Sequence, residues 1–546
     1  MSKWNKPQAK PPPGQPQATA PKRFGSAKWL ILAVVIAASA AFFVKLPFSA
    51  SAKSQGTDEL VAKARSSLAE GQTAAALAQS QEALRRSPSA AALVVRGDAR
   101  LASKDARGAI EDYDAAMQLE PQRAEIWGKR GRARFANGDI TAALADLSKA
   151  VELDPQDPAL YVLRGDVNRA RGATAEAIDD FSHAVQLRVD DASVQEKLAD
   201  AQTVGGDFAT AIAAYDHALA LTPEKPGLLD KRGAAKLSFG DADGAAADFS
   251  RAVALDPGNA ELHYRHGVAL AAANDPSAAI EAYGEAIRLK PKEAKYFAKR
   301  GDTRLDLGDR RAAIADYTDA LRLAPGDAAV FNNRGNARKA SGDLADAILD
   351  YTESIRLRPA HANTYFNRAS ARRARGDLAG AIFDFTRAIQ LAPDDAEFYV
   401  QRGAAYQARG DLPAAVADLN TALRLKPNNA YAYCRRGDTR LAGRDPSGAI
   451  TDYNLAIQLK PDDPVPYCGR GEARAASGDT AAALADFDRA IELKSDYAYA
   501  YLVRGKLRLA TGDPPGATLD FRWVVDHATD SKMVDVASGL LKKASQ

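Results

Sequence analysis

The chain has 546 residues, with 73 Lys or Arg against 70 Asp or Glu, a net charge of +3 that excludes a basic nucleic-acid surface along its length. Eight of the basic residues lie in the first 57, where there is no acid, so the remainder sets 65 basic residues against all 70 acidic ones. A soluble chain of this length is ordinarily several domains, unless its core grows along one axis only.

Residues 1–28 are rich in Pro, Lys and Gln, lack a core-forming pattern and read as a disordered basic tail. Residues 29–44 carry no charge. As a helix this segment is ~24 Å long against a hydrocarbon core of ~30 Å. Lys28 and Lys45 can snorkel at its ends, so 29–45 is predicted to be a transmembrane signal-anchor. All six charges ahead of it are positive, which keeps the N-terminus in the cytoplasm and exports the chain beyond residue 45. A rival stands beside this: Ala50-Ser51-Ala52 after Pro47 has the form of a signal-peptidase site, which would release a mature chain from Lys53. The long leading tail and Lys45 close to that cut favour the anchor. No cysteine lies near the segment, which excludes a lipoprotein anchor, and residues 46–56 read as a linker.

From residue 57 one pattern returns to the end of the chain. Residues 328–361 display it. A first helix carries Val330, Phe331, Gly335 and Ala337 and closes at Gly342. Asp343 stands where an N-cap belongs. A second helix runs from Leu344 to about Leu357, with Ala347, Tyr351 and Ile355 along one side, before Pro359 ends it. At a constant spacing of 34 residues, Gly or Ala fills the position of Gly335 in thirteen units from Gly97 to Gly505. An Ala follows each twelve residues on, and four further stands an aromatic, Tyr113 through Phe521, with Leu147 and Leu419 as exceptions. Pro closes most units; the unit before residue 192 ends on Val189 instead, and that junction is expected to pack differently. Residues 57–89 form a degraded first repeat, and 532–546 a capping helix with Val534, Ala537, Leu540 and Leu541 on one face.

This ordering of small residue, Ala, aromatic and Pro resembles the tetratricopeptide repeat family over residues 57–531. Physical reasoning agrees: one helix pair cannot bury its own apolar face, so neighbours must stack into a continuous core. The fold class is therefore all-α, an α-solenoid or superhelix of about fourteen stacked helix-turn-helix units, preceded by one transmembrane helix.

The chemistry-bearing residues argue against an enzyme. The six histidines form no HExxH pair, none lies near a cysteine at zinc spacing, and no phosphate loop or nucleophile elbow occurs. No metal or cofactor is implied. Cys434 and Cys468 hold equivalent places in adjacent units, at least ~8 Å apart and beyond disulfide reach, so two free thiols are expected. Gly-Asp pairs such as 138–139, 342–343 and 478–479 are turn and N-cap punctuation between helices.

Two charged columns remain. An Arg precedes the small residue in eleven of thirteen units, and an Asp follows that Arg sixteen residues later in the same eleven. Both are missing together at Leu198 with Ala214 and at His266 with Ala282. This predicts ion pairs between the two helices of one unit, such as Arg300 with Asp316, Arg334 with Asp350 and Arg402 with Asp418, because a half-buried lone charge costs more than losing the pair. One residue ahead lies a second column: Lys197, Lys231, Arg265, Lys299, Asn333, Asn367, Gln401 and Arg435. It shows no paired acid at a fixed offset.

In the family this chain resembles, the first helices line a concave face that commonly holds an extended peptide. The resemblance thus makes the second column, with Asn336, a protein-binding groove: Lys231, Arg265 and Lys299 as its basic end, Asn333, Asn367 and Gln401 as its amide end. The solvated face of an ordinary helix is the competing reading. Asn332 and Asn336 hold the four-residue spacing of the family's carboxylate clamp, but its Lys is missing and that clamp is not expected. The sequence thus reads as a non-catalytic, membrane-anchored scaffold for partner proteins, exported to the periplasm if the Ala- and Arg-rich composition marks a bacterium. An accessory subunit positioning a catalytic partner of an envelope or secretion complex is the alternative. No oligomeric state is implied.

Overall fold

The computed structural model describes residues 50–545, and in them twenty-nine helices follow one another without a strand. The tail (1–28) and the predicted span (29–45) lie outside the described residues. Among the described residues no helix is long and apolar enough to cross a membrane.

Each unit is built as the period requires. The first helix of the unit at 328, Ala328–Ala340, ends in a turn where Gly342 takes the left-handed φ of 89°, and the second helix is Leu344–Leu357. Asp139 and Asp479 cap their helices by accepting from the backbone N–H three residues on, whereas Asp343 occupies the same place without a side-chain capping bond. The rungs are small for a steric reason. A Cβ on Gly335 would stand 2.7 Å from the ring of Tyr351, which lies over the glycine and is itself fully buried. Ala347 and Tyr351 pack in turn against Ala371 of the next unit, so the core continues from one unit to the next. Side chains near the start of the first helices also tie down the preceding turn: Trp127 Nε1 donates to the carbonyl of Pro121 at 2.9 Å, and Tyr467 Oη to that of Pro461 at 3.2 Å.

The start of the array departs from the sequence reading. The first helix, Ala50–Ala69, begins inside the stretch read as linker, since nothing between Ala50 and Gln55 interrupts a helix. The chain divides into two compact units between Val189 and Asp190, where the closing proline is missing. At the far end Ser531–Ala544 sets Ala537, Leu540 and Leu541 against Leu502, Phe521 and Val524.

Candidate functional site

The arginine column is built into the scaffold. In all eleven units that have it, the guanidinium meets the Asp sixteen residues on; the contact is 2.7 Å for Arg300–Asp316, Arg334–Asp350, Arg368–Asp384 and Arg402–Asp418. These aspartates are buried. Three further contacts were not anticipated from the sequence. In nine of the eleven units a second cation, four residues after the first, reaches the same acid: Arg338 Nη1 lies 2.7 Å from Asp350 Oδ2, and Arg304 Nη1 2.7 Å from Asp316 Oδ2, while Asn168 and Tyr406 hold the place in the other two. The remaining nitrogen of the first Arg turns to the preceding unit, Arg334 to Thr318 Oγ1 at 3.1 Å and Arg470 to Asn454 Oδ1 at 2.6 Å. The same guanidiniums lie over an aromatic ring three residues earlier, as Arg334 over Phe331 at 5.5 Å. Most of the column is therefore occupied on several sides, whereas Arg164 also lines an open pocket with Ser148 and Asn168. A sequence signal for the second cation existed: Gln202 and Leu270 hold its place in the two units that have lost the pair. The buried Oε1 of Gln202 has no hydrogen-bond partner there.

The neighbouring column departs from expectation. Its acids do stand at fixed offsets, but one unit back, because first helices of successive units lie side by side. Lys231 Nζ reaches Asp200 at 2.7 Å, 31 residues earlier, and Glu196 at 2.8 Å, 35 residues earlier. Arg265 meets Asp230 at 2.9 Å, again 35 residues earlier, and Asn333 Nδ2 donates to Asp302 at 3.1 Å, 31 residues earlier. Burial lowers the proton affinity of the Lys231 ammonium, but its hydrogen bonds and the charges of Asp200 and Glu196 outweigh that and hold its pKa above the ordinary lysine value. Lys231 and Arg265 are thus not a free basic end. Lys299 is exposed, 3.4 Å from Asp302 on its own helix; Gln401 donates to Glu397; Arg435 reaches Gln407 at 2.7 Å and Asp438 at 3.2 Å. Lys197 lies half-buried on Ala192–Gly205.

Of the amide end, Asn333 and Asn367 are connected through Asn332, and Gln401 is not part of that run. Asn332 donates to Asn333 at 3.3 Å, Asn367 donates to Asn332 at 3.1 Å, and Asn336 Oδ1 accepts from Tyr351 Oη at 2.8 Å. All four asparagines are half-buried. When these bonds are made, Asn336 Nδ2 and Asn367 Oδ1 have no partner among the described residues.

Further along, the column stops at Gly469, where a Cβ would stand 2.6 Å from the ring of Tyr453. Tyr453 Oη donates to Asp438 at 2.7 Å and Tyr499 Oη to Glu472 at 2.9 Å. Burial pushes both carboxyl groups above the usual range. Nearby, Cys434 and Cys468 are free and buried; burial pushes the Cys434 thiol up to about 12, so it stays protonated and inert. For carboxyls with raised folded pKa values, the folded chain holds the proton more tightly than the unfolded one. Their effect on stability is fully favourable below the unfolded pKa and is lost as pH rises through the folded value. Asp438→Asn keeps an oxygen for Tyr453, as Asn336 does for Tyr351, and removes a half-exposed charge that Arg435 meets at 3.2 Å. It is expected to raise the melting temperature at neutral pH and to leave it unchanged at pH ~3, below the ordinary Asp value; thermal melts across pH check this.

A cavity lies among residues 68–163. Gly128 carries no side chain there, and a pocket of about 560 Å³ opens between Leu68, Leu101, Leu160, Lys129 and Arg132. Among the described residues no three His, Cys, Asp or Glu side chains group to hold a metal ion.

Stacked helix pairs and rings over small rungs define a helical-repeat protein. Family models described as TPR repeat match residues 131–168, 369–410 and 405–442; models described as tetratricopeptide repeat match 236–301, and 61–124, 299–351 and 468–522. Together they span more than half of the chain, which belongs to the tetratricopeptide repeat family. No curated protein matches it. Among solved structures it is similar to a tetratricopeptide repeat protein from Parabacteroides merdae, at 23% identity over 46% of this chain and 99% of that one, with a TM-score of 0.41. It is also similar to the Cut9–Hcn1 hetero-tetramer of the APC/C, at 15% identity over 90% and 96% with a TM-score of 0.37. Yeast Tom70 is similar at 16% identity over 84% and 95%, with a TM-score of 0.36.

Proposed function

We propose that the chain is a non-catalytic scaffold that holds extended segments of partner proteins along its first-helix face. One observation carries this: the donor of Asn336 and the acceptor of Asn367 are left over, half-buried, on adjacent first helices. A peptide backbone offers the complementary C=O and N–H whatever its side chains. Replacing Asn336 and Asn367 together by Ala removes two neutral hydrogen bonds, each worth about 0.5–1.5 kcal/mol. Capture of partner proteins by crosslinking in intact cells should fall about tenfold in affinity terms with its salt dependence unchanged. Capture that is indifferent to both substitutions would place binding elsewhere.

The uncharged segment 29–44 and its one-sided flanking charge support a single-pass anchor in a bacterial inner membrane, with the repeats on the periplasmic side. The mature protein would then retain residues 1–52. A mature N-terminus at Lys53 would instead make it a secreted periplasmic protein. An accessory subunit that positions a catalytic partner would use the same face.

A further inference from the structure

Charge is handled unevenly along the first helices. Where a Lys or Arg faces the preceding unit, an acid usually answers it: Lys231 has Asp200 and Glu196, Arg265 has Asp230 and Lys295 has Glu261, all within 2.9 Å. Two consecutive first helices break the pattern. Ala328–Ala340 and Ala362–Ala374 contain no Asp or Glu, yet carry Arg334, Arg338 and Lys339, and Arg368, Arg372 and Arg373. Four of these six are bound to Asp350 and Asp384 of the second helices. Lys339 and Arg373 are not.

These two occupy the same place in adjacent units, are half-buried, and make no side-chain hydrogen bond or ion pair with any described residue. Leu305 holds the position one unit earlier and Leu441 two units later, each packed against the edge of the core. A cation at such a site loses hydration and gains nothing in return. Burial accordingly pushes the Lys339 ammonium below the ordinary lysine value, opposite in direction to Lys231 with its two acids. An anion from outside the chain would supply what is missing, and Asn336 and Asn367, with their unused donor and acceptor, lie on the same two helices.

Resting on the peptide-binding function proposed for this face, we propose that Lys339 and Arg373 form an acid-selective subsite for the Asp or Glu side chains of an extended partner segment. Neighbouring helices stand roughly 8–10 Å apart. A polyproline-II segment returns a side chain to one face every third residue, ~9 Å along. The favoured ligand is therefore an extended stretch with acids three residues apart, each making a charge-assisted hydrogen bond to one cation.

The test uses the full chain and fluorescein-labelled, terminally blocked peptides made of repeated Glu-Ala-Pro triplets, with Gln-Ala-Pro as the neutral counterpart. By fluorescence anisotropy the Glu peptide should bind about tenfold more tightly than the Gln peptide. The double variant Lys339→Leu, Arg373→Leu should remove that difference and bind both peptides like the Gln form. Leu is what Leu305 and Leu441 place at this position, so the variant should keep its fold, and an unchanged melting curve verifies it. Arg356→Leu, an exposed cation on the second helix Leu344–Leu357, should leave the preference intact. The proposal fails if the Glu and Gln peptides bind alike, or if the double variant retains the preference. It also fails if unblocking the C-terminus of the Gln peptide restores full affinity, which would assign the site to a terminal carboxylate. Selection from a library of random displayed peptides separates this from the broader reading. Binders rich in acids and lost by the double variant support the subsite. Binders without acids, held equally by both proteins, overturn it and leave the peptide face standing; a library that yields no binder overturns both.

Discussion

Asp384→Ala should destabilise its repeat by about 3–5 kcal/mol, the range for breaking a buried ion pair from one side. The carboxylate is fully buried and is shared by Arg368 Nη2 at 2.7 Å and Arg372 Nη1 at 2.9 Å. Removing it leaves two guanidiniums facing each other. Neither can deprotonate. Arg368 is itself buried and further held through Nη1 by Thr352 at 3.0 Å, so it has no low-cost route to water. The triple variant Arg368→Leu, Arg372→Leu, Asp384→Ala should be much closer to wild type. It copies what the chain does at Leu198, Gln202 and Ala214, and at His266, Leu270 and Ala282, where all charge leaves together. A long repeat array need not melt as one unit, so the measurement is hydrogen exchange of peptides from 362–391, with 464–493 as the internal reference. Equal protection in the single and triple variants would mean that lost packing, rather than stranded charge, sets the cost.

Much of this architecture is legible in the sequence because a fixed period leaves little freedom: once Gly335, Ala347 and Tyr351 are aligned with their equivalents, helix ends, turn glycines and core are determined. The Arg–Asp column is legible for the same reason, since both partners lie in one unit. The first-helix face is not. Its contacts cross from one unit to the next at offsets of 31 and 35 residues, so Lys231 reads as a free cation until Asp200 is placed beside it. Lys339 reads as an ordinary surface lysine until its neighbours prove to be acid-free. A related signal lies in the choice between Tyr and Phe in the ring column. Tyr113, Tyr317, Tyr351 and Tyr453 donate to Asp98, Asp302, Asn336 and Asp438, each fifteen residues earlier. Phe249 and Phe521 stand where that earlier residue is Ala234 or Lys506, but Phe181 and Phe487 follow Asp166 and Glu472, and Tyr283 follows Val268, so the correspondence is partial. Gly469 shows the limit of reading a column by polarity alone. Its interruption is steric, set by the ring of Tyr453.

That ring-on-rung contact supports the other large effect. Tyr351→Ala empties a fully buried aromatic site and is expected to cost about 3–5 kcal/mol, as large aromatic truncations do. Tyr351→Phe loses only the 2.8 Å bond to Asn336, about 1 kcal/mol, because the half-buried amide can turn to water. From the opposite side, Gly335→Leu drives a side chain into a ring that a bare Cβ would already approach at 2.7 Å. Overpacking of that kind costs about 1–3 kcal/mol or more. The two large variants are complementary, since one creates space where the other demands it. Gly335→Leu combined with Tyr351→Ala should therefore recover at least half of the loss of Tyr351→Ala alone. Exchange protection across 328–357 is the readout, with the effect fading within a unit or two on either side because each repeat touches only its neighbours. If the double variant is as unprotected as the sum of the two single ones, the glycine is small for the sake of backbone conformation. Gly335 lies inside the helix Ala328–Ala340 and outside the set of positive-φ glycines, so the steric account is the one expected to survive.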